Sequence, residues 1–216
     1  MLFRSAPFLG EDLDGAYPSG FEPGYIKISK LKISGDDGKF SLQGVGNVIL
    51  KISLKKPLLP GEKIKIYMEY IGKLPPAVER FGYGENIYNF GNWYPILCIY
   101  NEKGWHLDPY YALGDPFFSD ISNYEVTITT PKDIVIASSG NILSEKIKQD
   151  KKVWKIEGKL IRDFAWVASN DFVVGERDVD GTLVKSYVPK DKEDMLDYSL
   201  DVTEKAIKVF NENFGK

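Results

Sequence analysis

Metal-assisted and acid–base catalysis depends on histidine, cysteine and carboxylate side chains at fixed spacings. This chain of 216 residues contains one histidine, His106, and one cysteine, Cys98. A catalytic zinc typically takes about three protein ligands, mostly histidine together with glutamate, aspartate or cysteine. One histidine and one cysteine are too few to supply most of such a set. We therefore predict no catalytic residue, no metal ligand and no cofactor-binding residue in this chain.

The neighbours of His106 and Cys98 favour structural roles for both. His106 could form a metal or acid–base pair with Asp108, since histidine is often bonded to a carboxylate. We favour a simpler interpretation, a loop histidine bonded to Asp108 or to the backbone, with Trp105 packed inward. Cys98 lies among apolar residues and is expected to be a buried thiol that behaves as a small hydrophobe. The sequence also lacks an EF-hand loop, a nucleophile elbow and a glycine-rich phosphate loop before a helix.

Aromatic residues are concentrated between Phe81 and Phe118, where they fill twelve of 38 positions against 13% of the whole chain. A surface this aromatic usually covers another domain, a ligand or an unusually large core. It could face another domain, bind carbohydrate or bind another protein. For any single aromatic residue the core is the more common location. The candidates for such a surface are Trp93, Tyr94, Tyr110, Phe117 and Phe118.

Most of the chain alternates apolar and polar residues at period two, which is typical of half-buried β-strands. Short strands separated by turn signals predict antiparallel sheets arranged as a sandwich or saddle. An antiparallel hairpin is expected between 47–54 and 62–71, across a turn with Pro57, Pro60 and Gly61. The first strand is expected to contain a bulge. The predicted strands are 24–34, 47–54, 62–71, 124–129, 134–139, 153–158, 164–169, 172–179 and 182–188.

The pattern changes at Pro189, after which apolar residues recur at helical spacing. Asp191 is expected to cap this helix and Gly215 to end it. We predict a mostly β chain, with a β-domain at 1–188 and one C-terminal α-helix, 189–216, that begins a second domain. The predicted apolar stripe of the helix consists of Leu196, Leu200, Thr203, Ile207, Phe210 and Phe214.

The linear pattern of the chain resembles the amino-terminal β-domain of aminopeptidase N-like zinc metallopeptidases, and is most similar to a bacterial branch of that family. The main carrier of the resemblance is GNWYPILCIYNEKGWHLDPYYALGDPFFSDISNYEVTITTPKDIVIASSGN. Residues 17–35 resemble the early strand pair of the family, 54–70 its hairpin, and 162–174 the strand that closes the domain. The last helix resembles the first helix of the catalytic domain.

The resemblance implies a fragment that is not catalytic by itself. The HExxH motif with its distant glutamate and the Gly-x-Met-Glu-Asn strand of the family are absent from this sequence. The resemblance therefore places zinc in a missing catalytic domain, and names that domain and a peptide substrate as the partners. In the family, a glutamine or glutamate of the β-domain holds the free amino group of the peptide. The matching position is Asn86 by spacing and Glu85 by chemistry, because a charge-assisted bond to an ammonium is stronger.

Composition excludes several other classes of protein. The net charge of −3 and the intermixed charges give no basic stripe, so no nucleic-acid partner is expected. No apolar run is long enough to span a bilayer, and residues 1–20 lack the apolar core of a signal peptide. The sequence leaves the cellular location of the parent open. The alternative to a peptidase domain is a carbohydrate-binding or protein-interaction β-sandwich module.

Overall fold

The structure is a computed structural model and describes residues 17–107 and 118–216. Its sixteen described strands are followed by one α-helix, α1, at Leu196–Phe214, and 3₁₀ turns lie at Val45–Asn47 and Lys190–Met195. The strands are β1 (Tyr25–Ile33), β2 (Asp36–Asp37), β3 (Lys39–Gln43), β4 (Ile49–Ser53), β5 (Ile66–Lys73), β6 (Phe81–Gly84), β7 (Ile87–Phe90), β8 (Tyr100–Asn101), β9 (Gly104–Trp105), β10 (Ser122–Pro131), β11 (Val135–Ser138), β12 (Asn141–Lys148), β13 (Lys151–Ile161), β14 (Trp166–Ser169), β15 (Phe172–Val179) and β16 (Thr182–Pro189).

All strand pairs in the described ranges are antiparallel. Two larger sheets have the strand orders β11-β14-β7-β6 and β10-β13-β12. A third sheet has the order β2-β1-β5, and β3–β4, β8–β9 and β15–β16 form two-stranded ribbons. The predicted class, a mostly β chain of antiparallel sheets with a C-terminal helix, is confirmed.

The predicted hairpin between residues 47–54 and 62–71 is wrong. β4 pairs with β3, whereas β5 pairs with β1 from Ile33↔Ile66 to Tyr25↔Lys73. Period two identifies a strand but not its partner, and the intervening stretch with Pro57 and Pro60 is too long for a tight turn. The predicted bulge in the first strand is confirmed by the shift of register between Ile28 and Lys30.

The main core lies between the two larger sheets. Phe164, in the loop before β14, is completely buried, and Phe90 stacks on Trp166 with ring centroids 3.7 Å apart and planes 2° from parallel. Part of the aromatic segment found in the sequence is therefore core packing. The buried cluster consists of Ile128, Ile136, Trp154, Ile156, Phe164 and Ala168, with Phe90, Trp93, Tyr94, Tyr124 and Trp166 packed against it.

Helix α1 packs on the ribbon formed by β15 and β16. Gly175 makes this close approach possible, because a Cβ at this position would lie 2.8 Å from Cγ of Leu196. The Arg177 guanidinium donates to Asp201 Oδ1 at 2.5 Å and to Glu204 Oε2 at 2.9 Å. The helix is thus held to the ribbon by close apolar contacts, by this ion-pair network and by a hydrogen bond of 2.6 Å between the hydroxyls of Ser186 and Ser199. The predicted domain boundary between residues 188 and 189 stays a prediction.

The helix ends are only partly as predicted. Asp191 is not the cap: Lys190–Met195 forms a 3₁₀ turn, and the helix begins after Met195, which makes no side-chain capping bond. Gly215 ends the helix as expected, with φ 84°. Leu200 is the buried member of the predicted stripe, whereas Phe210 and Phe214 are 59% and 83% exposed.

Gly82 in β6 fixes how closely the segment before β6 lies on that strand. A Cβ at Gly82 would be 2.2 Å from the carbonyl oxygen of Ala77, whereas a Cβ at Gly84 would meet only Val78 Cγ2 at 3.9 Å. Gly82→Ala is therefore expected to lower the free energy of unfolding by about 2–3 kcal/mol, since backbone must move. Gly84→Ala, the matched control, is expected to change it by less than about 0.5 kcal/mol. Urea denaturation followed by circular dichroism compares the two; equal effects would contradict the close contact at Gly82.

Candidate functional site

The two candidate substrate-binding residues form the tip of one hairpin. Strands β6 and β7 pair up to Gly84↔Ile87, so Glu85 and Asn86 are the two residues of the connecting turn. Both side chains are exposed. The structure thus brings the two candidates together as neighbours on one protruding turn, where either can reach a ligand from the solvent side.

The base of this hairpin is packed firmly. β7 lies between β6 and β14 in the four-stranded sheet, and its Phe90 makes the stacked contact with Trp166. On the β6 side, the Tyr83 amide donates to the Pro75 carbonyl at 2.9 Å. The Asn89 side-chain amide donates to the Glu79 carbonyl at 3.1 Å. A turn on such a base holds its position with little loss of entropy when it binds a ligand.

The backbone distinguishes Glu85 from Asn86. Glu85 has φ 49°, in the left-handed region, which is uncommon for residues other than glycine, asparagine and aspartate. Such a conformation costs of order 1 kcal/mol in a residue that carries a Cβ. Gln149 and Asp180 have the same backbone conformation in the two-residue turns after β12 and β15, so the positive φ of Glu85 is a property of such turns and is not by itself evidence of a ligand.

The chemistry of the tip is that of an exposed anion. The Glu85 carboxylate has two oxygens that accept hydrogen bonds, which suits an ammonium with its three donors. The Asn86 carbonyl could accept a bond as well, but without a net charge. This tip can therefore position a cationic group, and it offers neither a nucleophile nor a metal-binding set.

The aromatic candidates divide between core and surface. Trp93 Nε1 donates to the Phe164 carbonyl at 2.9 Å, and the Tyr94 hydroxyl bonds to Asp163 Oδ1 at 3.0 Å and to the Tyr124 hydroxyl at 3.1 Å. Burial, these two bonds and the Asp163 charge raise the pKa of Tyr94 far above its usual value, so its hydroxyl stays protonated. These bonds tie Trp93 and Tyr94 to the core.

The other aromatic candidates lie elsewhere. Phe118 is 51% exposed, and its ring lies edge-on to that of His106, with centroids 5.8 Å apart. Tyr110 and Phe117 lie outside the described residues, as does Asp108, the carboxylate considered for His106. Trp105 is 55% exposed against Tyr100, so the expectation that it packs inward is wrong.

Metal and nucleophile chemistry finds no support in the described ranges. Within residues 17–107 and 118–216, no group of three histidine, cysteine, aspartate or glutamate side chains is placed to hold a metal ion. Cys98 is partly buried, and this burial raises the pKa of its thiol, which keeps it in the less reactive form. In the same ranges, no helix has the length and apolarity needed to cross a membrane.

The family resemblance named Glu85 and Asn86, but the sequence predicted neither the strands β6 and β7 nor the segments that support them. Pro75, Ala77 and Glu79 reach β6 and β7 through backbone carbonyls, which leave no mark in the sequence. The available signal was the pair of glycines at 82 and 84 in a strand otherwise rich in aromatic residues, since glycine in a strand often marks the close approach of another segment.

Comparisons with known proteins identify the fold. No family model and no curated protein matches the sequence. Among solved structures, a mutant of the M1 zinc metallopeptidase from Deinococcus radiodurans matches 88% of this chain with a TM-score of 0.54 and 14% identity. The same enzyme bound to a Tyr-Ser-Ala substrate, and a two-domain M1 zinc metallopeptidase mutant bound to L-arginine, each match 88% of the chain with a TM-score of 0.50 and 16% identity.

The match covers only part of each of these structures. The chain spans 44% of their length. Its fold is therefore that of one part of an M1 zinc metallopeptidase, and the resemblance read from the sequence is confirmed at the level of the fold. Activity does not follow from a fold, so the function has to be argued from the site.

The strain at Glu85 can be measured directly. Glu85→Gly is expected to raise the free energy of unfolding by about 1 kcal/mol, because glycine adopts positive φ without steric cost. Gln149→Gly is the matched control, since Gln149 occupies the first position of the two-residue turn between β12 and β13 with φ 57°. Urea denaturation of both variants gives the comparison. If the free energy of unfolding rises for Gln149→Gly but falls for Glu85→Gly, the Glu85 side chain stabilises the fold. That result would contradict a role for Glu85 in ligand binding alone.

Proposed function

We propose that this chain is the substrate-anchoring β-domain of a zinc-dependent metallopeptidase of the aminopeptidase type, and that it forms one wall of the peptide cleft. The observation that carries the proposal is the fold match over 88% of the chain to M1 zinc metallopeptidases, of which one is bound to a peptide substrate. The chain corresponds to 44% of those structures, which leaves room in a parent protein for a catalytic domain as its partner.

The residues of this chain do not fit a catalytic zinc site. The chain has one histidine and one cysteine, and its described residues contain no group of three potential ligands. Zinc in such a peptidase polarises a bound water and the peptide carbonyl. Its ligands would have to come from the catalytic domain, and we derive no step through zinc from this chain. The contribution of the chain is to bind and orient the peptide.

Glu85 is the residue proposed to anchor the peptide, with Asn86 beside it. A peptide with a free amino terminus presents an ammonium, and a carboxylate on a rigid turn attracts it from a fixed position. Holding a substrate in register makes the later chemical step effectively intramolecular, which lowers its barrier. Because the turn is built on the packed base of β7 and Phe90, this positioning does not require the domain to rearrange.

A second candidate function rests on the exposed aromatic pair of the β8–β9 ribbon. Tyr100 and Trp105 are 66% and 55% exposed. Exposed aromatic rings bind sugars by stacking, which is the basis of the carbohydrate-binding alternative. These two rings meet at 61°, however, and so do not form the flat row that a glycan would cover. The geometry favours the peptidase proposal over this alternative.

The reading frame that encodes the chain tests the parent activity. Beyond the codon for Lys216, we expect it to encode His-Glu-x-x-His followed by a more distant glutamate, the set that binds zinc and activates water. Sequencing of the source gene answers this question independently of any role for Glu85. A stop codon directly after Lys216 would contradict the peptidase proposal.

Kinetics of the complete protein test the anchor. Glu85→Ala is expected to lower kcat/KM about 10- to 100-fold on peptides with a free amino terminus, because a hydrogen bond to a charged group contributes about 1.5–3 kcal/mol. On the same peptides with an acetylated amino terminus, little change is expected. Asn86→Ala and the double variant separate the two candidates.

Glu102→Ala is the matched control, since Glu102 is also exposed and lies in the turn between β8 and β9. If kcat/KM of the double variant at residues 85 and 86 is unchanged, neither residue anchors the peptide. That result would not contradict the proposed peptidase activity of the parent protein.

A further inference from the structure

The segment between β4 and β5 contains a fixed turn that exposes two leucines. Leu58 and Leu59 are 46% and 61% exposed. The Glu62 amide donates to the Leu59 carbonyl at 3.0 Å, and the Leu59 amide donates to Glu62 Oε2 at 2.9 Å. Gly61 takes φ 84°, which glycine adopts without steric cost. This leucine turn, residues 58–62, therefore holds two apolar side chains in water.

Lysines flank the leucine turn in the sequence. Lys55 and Lys56 precede it, and Lys63 and Lys65 follow it. All four side chains are exposed. Lys55 is paired with Asp36 at 2.8 Å, whereas the other three lysines have no ion-pair partner in the described ranges. Three unpaired ammonium groups thus lie within a few residues of two exposed leucines.

The charge of this surface is opposite in sign to that of the whole chain. Residues 51–65 carry five lysines and one carboxylate, Glu62, and the pairing of Lys39 with Ser53 brings a sixth lysine to the same end of the β3–β4 ribbon. The adjacent strand β2 contributes two carboxylates. Six lysines against three carboxylates give a positive surface, whereas the chain has a net charge of −3. The leucine turn therefore lies in a locally positive potential.

We propose that the leucine turn docks on an anionic lipid bilayer, with Leu58 and Leu59 entering the boundary between the headgroups and the acyl chains. The two features of this surface match the two layers of such a membrane. Apolar side chains that leave water stabilise the contact in proportion to the area covered, and each lysine near an anionic surface adds a favourable electrostatic contribution. The proposal is independent of the peptidase role.

The form of the surface favours a membrane over an acidic protein as the partner. The two leucines belong to a segment, residues 53–63, in which every residue is exposed. A protein partner would need an apolar pocket with a rim of carboxylates to receive them. A bilayer instead adapts to a protruding side chain and presents anionic headgroups on all sides of it. Two leucines cover much less area than a lipid anchor, so the contact is expected to be weak and reversible.

The turn between β15 and β16 provides a leucine of similar exposure in acidic surroundings. Leu183 is 56% exposed and lies opposite Asp178 in the register of the two strands. The turn beside it contains Asp180. Because carboxylates are repelled by anionic headgroups, no lipid docking is expected there. Leu183 is therefore the matched control for Leu59.

Binding of the 216-residue chain to lipid vesicles tests the proposal. Cosedimentation compares vesicles of pure phosphatidylcholine with vesicles that contain about 30% phosphatidylglycerol, an anionic lipid. At about 0.05 M salt the partition coefficient is expected to be about tenfold higher for the anionic vesicles. At about 0.5 M salt it is expected to fall about fivefold, because the charges are screened.

Substitutions of leucine test the apolar contact. Leu59→Ser is expected to lower the partition coefficient about fivefold to twentyfold, because less apolar area leaves water on binding. Leu183→Ser, the control, should leave it unchanged. Leu59→Trp should retain binding, and its added fluorescence should be quenched by lipids that carry bromine on the acyl chains. Such quenching requires contact with the bilayer and would not result from a loss of folding.

A charge reversal tests the electrostatic contact. Lys63→Glu is expected to weaken binding to the anionic vesicles about threefold to tenfold and to leave binding to the neutral vesicles unchanged. Lys132→Glu is the control for the change in net charge, since Lys132 is an exposed lysine of the turn between β10 and β11. Its effect on the partition coefficient is expected to be less than about twofold, because it lies away from the docked surface.

Any of three results would overturn the proposal. They are equal partition into neutral and anionic vesicles, equal effects of Leu59→Ser and Leu183→Ser, and no quenching of the added fluorescence of Leu59→Trp by brominated lipid. Soluble polyglutamate tests the alternative partner. If it binds the chain as tightly as the anionic vesicles do, and Leu59→Ser leaves that binding unchanged, the surface recognises an acidic polypeptide and the proposal is wrong.

Discussion

The burial of Phe164 and the stacking of Phe90 on Trp166 are the contacts on which the rest of the domain depends. They fill the space between the two larger sheets, whose described strands do not pair with one another. Aromatic rings suit this place because each removes a large area from water and fixes the relative position of its neighbours. The Trp93 bond to the Phe164 carbonyl then ties the following loop to the same core. The order of the hairpin that carries Glu85 is a consequence of this packing.

The proposed anchor and the strands that support it differ in backbone conformation, as is common at binding sites. The supporting strands are regular, paired and packed, whereas the turn at Glu85 holds an unfavourable backbone conformation. A strained residue persists only when the surrounding structure determines its position. Here the pairing of β7 with β6 and β14 provides that structure. The backbone of Glu85 therefore occupies a defined position while its carboxylate is exposed to solvent.

The two ends of the described sheet structure differ in how they are completed. Between the larger sheets the apolar surfaces cover one another, so the core is closed. Strands β1 and β3 belong to different sheets, and a groove of about 440 Å³ lies beside them. Helix α1 shows the same contrast on a smaller scale, since Leu200 is buried on the ribbon while Phe214 is 83% exposed.

The sequence alone determined the class of fold, the bulge in β1 and the end of the helix at Gly215. These features follow from local periodicity and local backbone preference, which each segment carries by itself. Only the tertiary structure decided that β5 pairs with β1 rather than with β4, that Trp105 is exposed, and that Glu85 takes the left-handed conformation. Pairing and burial depend on contacts between segments that are distant in the chain, and alternation along one strand does not record which partner it meets.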